Sequence, residues 1–208
     1  IKIGQRLGTG TFGQVYSGMY FGTRVAVKEL FANKLTYDLI VEFHQECNLF
    51  KDMRHPNIVL FMGSAFDVGK LYMVMELCEY GSIMNLYTNL ERPSKRDVHM
   101  GKCLDLANDM AQGGAYLHMH DPPIIHRDLK SENVLVDGNF VAKITDFGQS
   151  RFNDEARVMT ACGSPLWTAP EVIRGEKVRM RLRPGRAVLE PYHATYPINE
   201  TYLLIHTN

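Results

Sequence analysis

Little in this chain of 208 residues pulls it towards one environment. Lys and Arg together number 23, and Asp and Glu number 23, so the formal net charge is zero. Without a charge imbalance, nothing global draws the protein to nucleic acid or to an anionic membrane. Cysteine is scarce: Cys47, Cys78, Cys103 and Cys162 lie far apart and form no CxxC pair. That pattern excludes a disulfide framework and a zinc ribbon, and it reads as reduced thiols in a cytoplasmic protein. No uninterrupted apolar run is long enough to span a bilayer. There is no internal repeat and no low-complexity segment. The opening Ile1-Lys-Ile-Gly is neither a signal peptide nor an initiator methionine. It reads as the first strand of a domain taken from something longer.

What is present is an ordinary globular composition, 45% hydrophobic, in a chain long enough for one large domain or two lobes sharing a cleft. Residues 1–31 alternate in the manner of strands. Gly8-Thr-Gly-Thr-Phe-Gly13-Gln-Val15 is a GxGxxGxV loop with strand-like sequence on both sides. A dinucleotide-binding loop with the same glycines would open a helix. Here Val15–Gly22 reads as a second strand and turn, so the loop closes a hairpin. Glycines in such a place let backbone amides approach phosphate oxygens; a plain glycine-rich turn is the alternative. Val25-Ala-Val-Lys28 ends the next strand, with Val25 and Val27 on one face and Ala26 and Lys28 on the other. A small residue beside an inward lysine suits a flat ligand with a phosphate at its end, although a lysine more often snorkels to water.

The spacing of Leu39, Phe43, Cys47 and Phe50 predicts a helix over 37–53. Glu46 lies beside that stripe and could lean inward to Lys28. Two buried strands follow, 58–66 and 71–77, around the turn at 67–70. Residues 76–82 read as a connector, loosened by Gly81, with Ser82 placed to cap the next helix. A helix is expected over 98–120, with Leu104, Ala107, Met110, Ala111 and Leu117 buried. Gly113-Gly114 in its middle costs about 1 kcal/mol per glycine relative to alanine, so either another element packs closely there or the helix is locally weak.

The densest chemistry is His126-Arg-Asp-Leu-Lys-Ser-Glu-Asn133, followed by the apolar Val134-Leu-Val136. A polar loop feeding a short strand can aim several side chains at one spot. Asp128 could accept a proton from a hydroxyl, Lys130 could neutralise a phosphate, and Asn133 could ligate a hard cation. A further strand is expected over 139–145, and then Asp146-Phe147-Gly148, in which Asp146 could hold a divalent cation. The polar segment 149–168 carries Ser150, Thr160, Ser164 and Thr168 and closes at Ala169-Pro-Glu171.

Each signal is weak alone, but their order and spacing together are specific. GxGxxGxV, VAVK, a helix glutamate, HRDLKxxN, DFG and APE, over residues 1 to about 176, resemble the protein kinase family. Lys130 within HRDLKSEN resembles serine/threonine kinases. Gly163-Ser-Pro-Leu-Trp-Thr-Ala-Pro-Glu171 is similar to the tyrosine-kinase-like group, which includes mixed-lineage and Raf-like kinases. The resemblance implies an α+β, two-lobed fold: a small β-rich N-lobe over 1–77, a partial, mainly helical C-lobe over 78–176, and a divergent basic tail over 177–208. It also implies ATP and Mg2+, a protein substrate bearing a serine or threonine hydroxyl, and no nucleic-acid partner or membrane span. Gly8, Gly10 and Gly13 would cover the phosphates, and Val15, Ala26 and Leu135 would sandwich adenine. Lys28, held by Glu46, would contact the α- and β-phosphates. Met75 would guard the back of the pocket, with Glu76 and Cys78 offering backbone groups. Asp128 would take the substrate proton, Lys130 would approach the transferred phosphate, and Asn133 and Asp146 would hold magnesium. Arg127 beside Asp128 implies control by a phosphate on the loop, with Thr160 the candidate.

After Ile173 the sequence departs from the pattern. Residues 174–186 hold six Lys/Arg and one Glu, and 187–208 show no amphipathic helix. The expectation is a C-lobe lacking its distal helices, with apolar surface left uncovered and with His126 and Phe147 deprived of their anchor. Two further readings stay open: a nucleotide-binding or scaffolding fragment without useful turnover, and an RNA-binding tail, which would bind in a strongly salt-dependent way.

Overall fold

The computed structural model describes residues 1–9, 13–30, 36–67, 69–88, 100–147, 151–152, 164 and 166–174. The described residues up to Glu76 build a five-stranded antiparallel sheet and one helix. Strands β1 (Lys2–Thr9), β2 (Gly13–Tyr20) and β3 (Thr23–Leu30) are followed by α1 (Tyr37–Phe50) and by β4 (Phe61–Asp67) and β5 (Lys70–Glu76). The sheet order is β1-β2-β3-β5-β4. The alternation of β3 sorts its side chains as expected: Val25 and Val27 are fully buried and pack with Val74. Ala26 and Lys28 stand on the other face, in register with Met75 and Met73 of β5.

Helix α1 begins at Thr36, whose hydroxyl accepts from Leu39 N at 3.2 Å, a side-chain cap for one of the helix's unpaired amides. Its buried face is Phe43, Cys47 and Phe50. The helix ends at Phe50, three residues short of the expected 53. Residues 58–60 do not join the strand that follows them. Instead Val59 N donates to Ile144 O at 2.9 Å, and Ile58 bridges Ile144.

Residues 81–147 supply β6 (Gly81–Ser82), α2 (Ile83–Thr88), α3 (Met100–Met119), β7 (Ile124–Ile125), a 3₁₀ turn at Ser131–Asn133, β8 (Val134–Val136) and β9 (Ala142–Ile144). Ser82 Oγ accepts from Asn85 N at 3.1 Å, capping α2. Strands β6, β8 and β9 form a small antiparallel sheet. A second pair joins β7 to β10 (Arg151–Phe152), and a short α4 (Pro170–Ile173) comes last. The strand expected over 139–145 is shorter than that. Asp137 Oδ1 instead accepts from Asn139 N at 2.9 Å and Val141 N at 3.0 Å, so an aspartate-capped turn occupies its first half.

The phase of α3 differs from expectation. Leu104 is 56% exposed, whereas Leu106 and Leu117 are buried. The packed face runs Leu106, Met110, Gly113, Leu117, at spacings of four, three and four. Gly113 fixes that phase, since a Cβ there would lie 2.7 Å from the Asn57 carbonyl oxygen; at Gly114 a Cβ would meet nothing within 4 Å. Close packing explains the first glycine of the pair and not the second.

One buried cluster runs from the five-stranded sheet through α1 into the second half, joining Phe43, Phe50, Met73, Leu117, Ile144 and Phe147 among others. Leu166, Trp167 and Ile173 are exposed at 88%, 43% and 64%. The basic stretch after residue 174, and the tail over 177–208, lie outside the described residues.

Candidate active site

Lys28 lies near the end of β3, at the junction of three elements. Its Nζ is 3.3 Å from Glu46 Oε1 on α1 and 3.0 Å from Asp146 Oδ1 just after β9. Burial opposes a charged lysine here, but the two carboxylates outweigh it and hold the amine's pKa above its ordinary value. The ammonium is therefore fixed, cationic and available to a further anion.

Rings from the same elements pack edge-on in a row. Phe61 and Phe50 have centroids 6.1 Å apart, Phe50 and Phe147 4.5 Å, and Phe147 and His126 5.0 Å. The column ties β4, α1, the segment bearing Asp146 and the loop bearing Asp128 into one packed unit. It also corrects an expectation. His126 and Phe147 are anchored, at 7% and 1% exposure, by α1 and by each other. His126 adds Nε2 to Thr145 O at 2.9 Å and receives Asp128 N on Nδ1 at 3.3 Å. A carbonyl only accepts, so Nε2 carries the proton and the ring is neutral. Burial lowers its pKa accordingly.

Asp128 is the most heavily partnered carboxylate of the site. Lys130 Nζ is 2.7 Å from Oδ2. Asn133 Nδ2 donates to Oδ2 at 3.1 Å and to the Asp128 carbonyl at 2.9 Å. Ser164 donates to Oδ1 twice, from N at 3.0 Å and from Oγ at 2.9 Å. Burial works against ionisation, but the Lys130 and Ser164 bonds exceed it and keep the carboxyl below its ordinary pKa. Asp128 is thus an ionised acceptor aimed by four donors. Ser164 was not legible as a site residue. It lies 36 residues from Asp128 in a polar segment with no periodicity, and its only sequence signal was its place in Gly163-Ser-Pro ahead of Ala169-Pro-Glu171.

Two of the four non-glycine residues with positive φ among the described residues lie in these loops, the other two being Phe21 and Phe140 in turns elsewhere. Arg127 and Asp146 both have φ 64°, a left-handed conformation uncommon for residues other than glycine. Thr145 N donates to Asn133 O at 3.0 Å, so the two loops are also bound directly.

The remaining expected residues line the edge between the halves. Gly8 pairs with Val15 across β1–β2, and Val15 pairs with Lys28. A Cβ on Gly8 would meet no atom of the described residues within 4 Å; one on Gly13 would overlap the Glu29 carbonyl across the hairpin, so that glycine serves the sheet. Gly10, Gly148 and Thr160 lie outside the described residues. Ala26, Met75 and Cys78 are buried and Leu135 is half-buried. Glu76 turns its side chain away, to Leu60 N at 2.6 Å and Lys143 Nζ at 3.1 Å, and its N–H reaches Leu60 O at 3.0 Å. The N–H of Cys78 meets no acceptor among the described residues, although the residue is only 7% exposed. Burial pushes the Cys78 thiol up to about 12 and the Cys47 thiol up to about 11, so neither is a nucleophile.

Comparison with known families matches residues 1–182 to the protein kinase domain, slightly beyond the expected limit near 176. The chain belongs to the protein kinase family. Among its relatives, the "Probable serine/threonine-protein kinase drkB" of Dictyostelium discoideum is 42% identical over 177 residues, covering 85% of this chain and 25% of that protein. The "Probable serine/threonine-protein kinase SIS8" of Arabidopsis thaliana is 43% identical over 178 residues, covering 85% and 17%. A "Putative serine/threonine-protein kinase/receptor R831" of Acanthamoeba polyphaga mimivirus is 40% identical over 177 residues, covering 85% and 11%. The chain therefore spans a quarter or less of these three relatives. Among the described residues of this kinase domain, no helix is long and apolar enough to cross a membrane.

Proposed function

We propose that this kinase domain transfers the terminal phosphate of ATP to serine or threonine hydroxyls of protein substrates. The observation that carries the reading is the convergence on Asp128. One ionised carboxylate is aimed by Lys130, Asn133 and Ser164, and the fixed cation Lys28 is tied to the same construction through Asp146. Phosphoryl transfer asks for positioning and charge neutralisation rather than covalent help, and these residues supply both. Asp128 would orient the acceptor hydroxyl and receive its proton. Lys130 would meet the charge on the transferred group, and Lys28 would bind phosphate oxygens.

The residues fit the implied ligands. Asn133 is 5% exposed, and its Oδ1 has no donor among the described residues, while the Asp146 carboxylate gives only one oxygen to Lys28. One amide oxygen and one carboxylate suit Mg2+, which keeps several waters and takes few protein ligands. Mg2+ would neutralise phosphate charge there. The Cys78 N–H, without an acceptor among the described residues, suits an acceptor on the adenine edge, with Val15, Ala26 and Leu135 as apolar walls, Met75 behind and Glu76 alongside. Gly8, with no atom of the described residues near the place of a Cβ, suits phosphate together with Gly10 and Gly13.

Finer assignments are proposed on narrower grounds. Lys130 supports a serine/threonine kinase, and the stretch from Gly163 to Glu171 supports the tyrosine-kinase-like group. An N-lobe over 1–77, a partial C-lobe over 78–176 and a divergent tail over 177–208 follow from the motifs, and buried unpaired thiols at Cys47 and Cys78 suit the cytoplasm. A second reading, nucleotide binding without useful turnover, is favoured by the exposed Leu166, Trp167 and Ile173.

A thermal melt with and without Mg-ATP tests the reading. A ligand at a hundredfold excess over Kd stabilises by about 2.7 kcal/mol. A cooperative transition should rise with Mg-ATP and return when a chelator is added. Phosphate should then pass to an added basic protein and stop in Asp128→Asn. A shift without transfer would select the second reading, and no shift would end both.

A further inference from the structure

A cavity of about 280 Å3 opens between the loop that follows α1, the residue before β4, the last residue of β5 and the middle of β9. Met53 and Ile58 give it an apolar floor, each 2% exposed, and the Leu60 side chain stands beside them at 39% exposure. Glu76 and Lys143 also line it, and both are engaged. Glu76 Oε1 accepts from Leu60 N at 2.6 Å and from Lys143 Nζ at 3.1 Å, and Lys143 lies 3.9 Å from Asp137. Their charges offset one another. Arg54 and His55 are left with donors to offer. The backbone of Arg54 is fixed by Tyr116, whose hydroxyl accepts from Arg54 N at 3.1 Å. One terminal nitrogen of its guanidinium donates to Met53 O at 2.8 Å, and the rest of the fork has no acceptor among the described residues. The His55 ring stacks on Tyr116, with centroids 4.8 Å apart, and its Nδ1 receives Asn57 N at 3.1 Å. Burial lowers the pKa of His55, which keeps the ring neutral. The proton therefore sits on Nε2, a donor held in place with no acceptor among the described residues.

We propose that this cavity binds a carboxylate with a small apolar body, its head on Arg54 and His55 and its body on Met53 and Ile58. A guanidinium fork beside a second N–H matches the two oxygens of a carboxylate. The buried floor favours a ligand with apolar surface to cover over a bare inorganic anion. The Glu76 carboxylate on the same wall favours one negative charge over two. Pockets that take drug-sized ligands begin at roughly 300 Å3, so the body is a single ring or a short branched chain. The site is independent of phosphoryl transfer. A water-filled gap between the loop and the strands is the alternative, and it predicts no preference for a carboxylate. The same chemistry is offered by a free acid and by a peptide that ends in an aromatic residue.

Sodium 3-phenylpropionate and its neutral amide, 3-phenylpropanamide, are titrated into the full 208-residue chain near neutral pH and followed by saturation-transfer NMR. A ligand this small binds in the millimolar range. The acid should bind about tenfold more tightly than the amide, through its charge-assisted hydrogen bonds. Arg54→Gln should bring the acid down to the level of the amide, and Arg54→Lys should restore part of the difference. Leu60→Trp fills the cavity from a side chain that makes no hydrogen bond, and it should abolish binding of both probes. Thermal melts confirm that each variant folds. Acetyl-Gly-Phe with a free carboxylate, run beside the acid, separates the two sources. Tighter binding of the peptide assigns the site to a chain terminus, tighter binding of the acid assigns it to a small molecule, and either supports the site. Equal affinity of acid and amide overturns the proposal, as does an Arg54→Gln chain that still prefers the acid. No signal in the millimolar range would also end it. Binding that Leu60→Trp leaves unchanged would place the probe elsewhere, in the nucleotide cleft if Mg-ATP displaces it, and would overturn the site.

Discussion

Gly113 of α3 packs directly on Asn57: a Cβ on the glycine would lie 2.7 Å from the Asn57 carbonyl oxygen and 3.0 Å from a methyl of Ile144. That carbonyl also accepts from Ile144 N at 2.9 Å, and Asn57 Nδ2 donates to Ala142 O at 3.1 Å. The contact therefore seats α3 against the strand that leads to Asp146. Its neighbour Gly114 faces open space. The two glycines should respond to alanine with opposite signs. Gly114→Ala gains helix propensity and should stabilise by about 0.5–1 kcal/mol. Gly113→Ala gains the same propensity but forces α3 off Asn57, and overpacking of this kind costs about 1–3 kcal/mol. Denaturant midpoints of the two variants decide the point, and equal shifts would refute it.

How much of this was readable beforehand depends on what each feature required. The stripe of α1 was legible, because Phe43, Cys47 and Phe50 repeat at helical spacing and each is apolar. The alternation of Val25 and Val27 was legible for the same reason at period two. The phase of α3 was not. Leu104 and Leu106 are equally apolar, and what chose between them was the close approach at Gly113, a tertiary contact with a residue 56 positions away. The motif order in HRDLKSEN and DFG marked the site, but not the network on Asp128. Ser164 reaches Asp128 across a polar stretch whose path no periodicity records. Chemistry with local spacing was visible, and contacts made by the folded loops were not.

Acid should destabilise the domain before its carboxylates titrate. His126 is neutral in the fold, with Nε2–H on Thr145 O and Nδ1 receiving Asp128 N. Burial lowers its pKa, and also lowers those of His55 and His118. A base with a lowered folded pKa contributes stability that is full above its unfolded value near 6.5 and is lost as pH falls through the folded one. Each unit of depression at a single buried histidine is worth about 1.4 kcal/mol. The Asp128 contribution behaves separately: its lowered pKa means stability present above about 3.8 and lost only below it. Melting temperatures should therefore decline between pH 6.5 and 5, and His126→Gln should flatten part of that decline. A flat profile over this range would rule the explanation out.

The Cys78 thiol should be inert while the protein is folded. Cys78 is 7% exposed, and burial pushes its thiol up to about 12 from a reference of 9.0. Only the thiolate reacts, so at pH 8 its alkylation should run roughly a thousandfold slower than that of an ordinary thiol. Peptide mapping after brief exposure to iodoacetamide should find Cys103, which is only partly buried, modified well ahead of Cys78. In urea the difference should vanish. Equal labelling in the native state would contradict the buried placement.

Glu46 should set how much magnesium the domain needs. Lys28 divides its charge between Glu46 at 3.3 Å and Asp146 at 3.0 Å. Glu46 and Lys28 are only 11% and 18% exposed at their side chains, so the carboxylate is a real competitor for the ammonium. Removing its charge with Glu46→Gln leaves Asp146 as the one carboxylate on Lys28 among the described residues. The lysine and a bound cation then compete for the same Asp146 oxygens, and the cation must displace a stronger partner. A change of about 1 kcal/mol in that competition is about fivefold in an equilibrium constant. In melts at fixed ATP, Glu46→Gln should therefore need several times more Mg2+ for the half-maximal shift. Asp146→Asn should remove the magnesium dependence altogether, because it deletes the carboxylate both cations seek. A magnesium requirement unchanged in Glu46→Gln would mean that Lys28 leaves Asp146 freely, and that the ion pair between them has no bearing on metal binding.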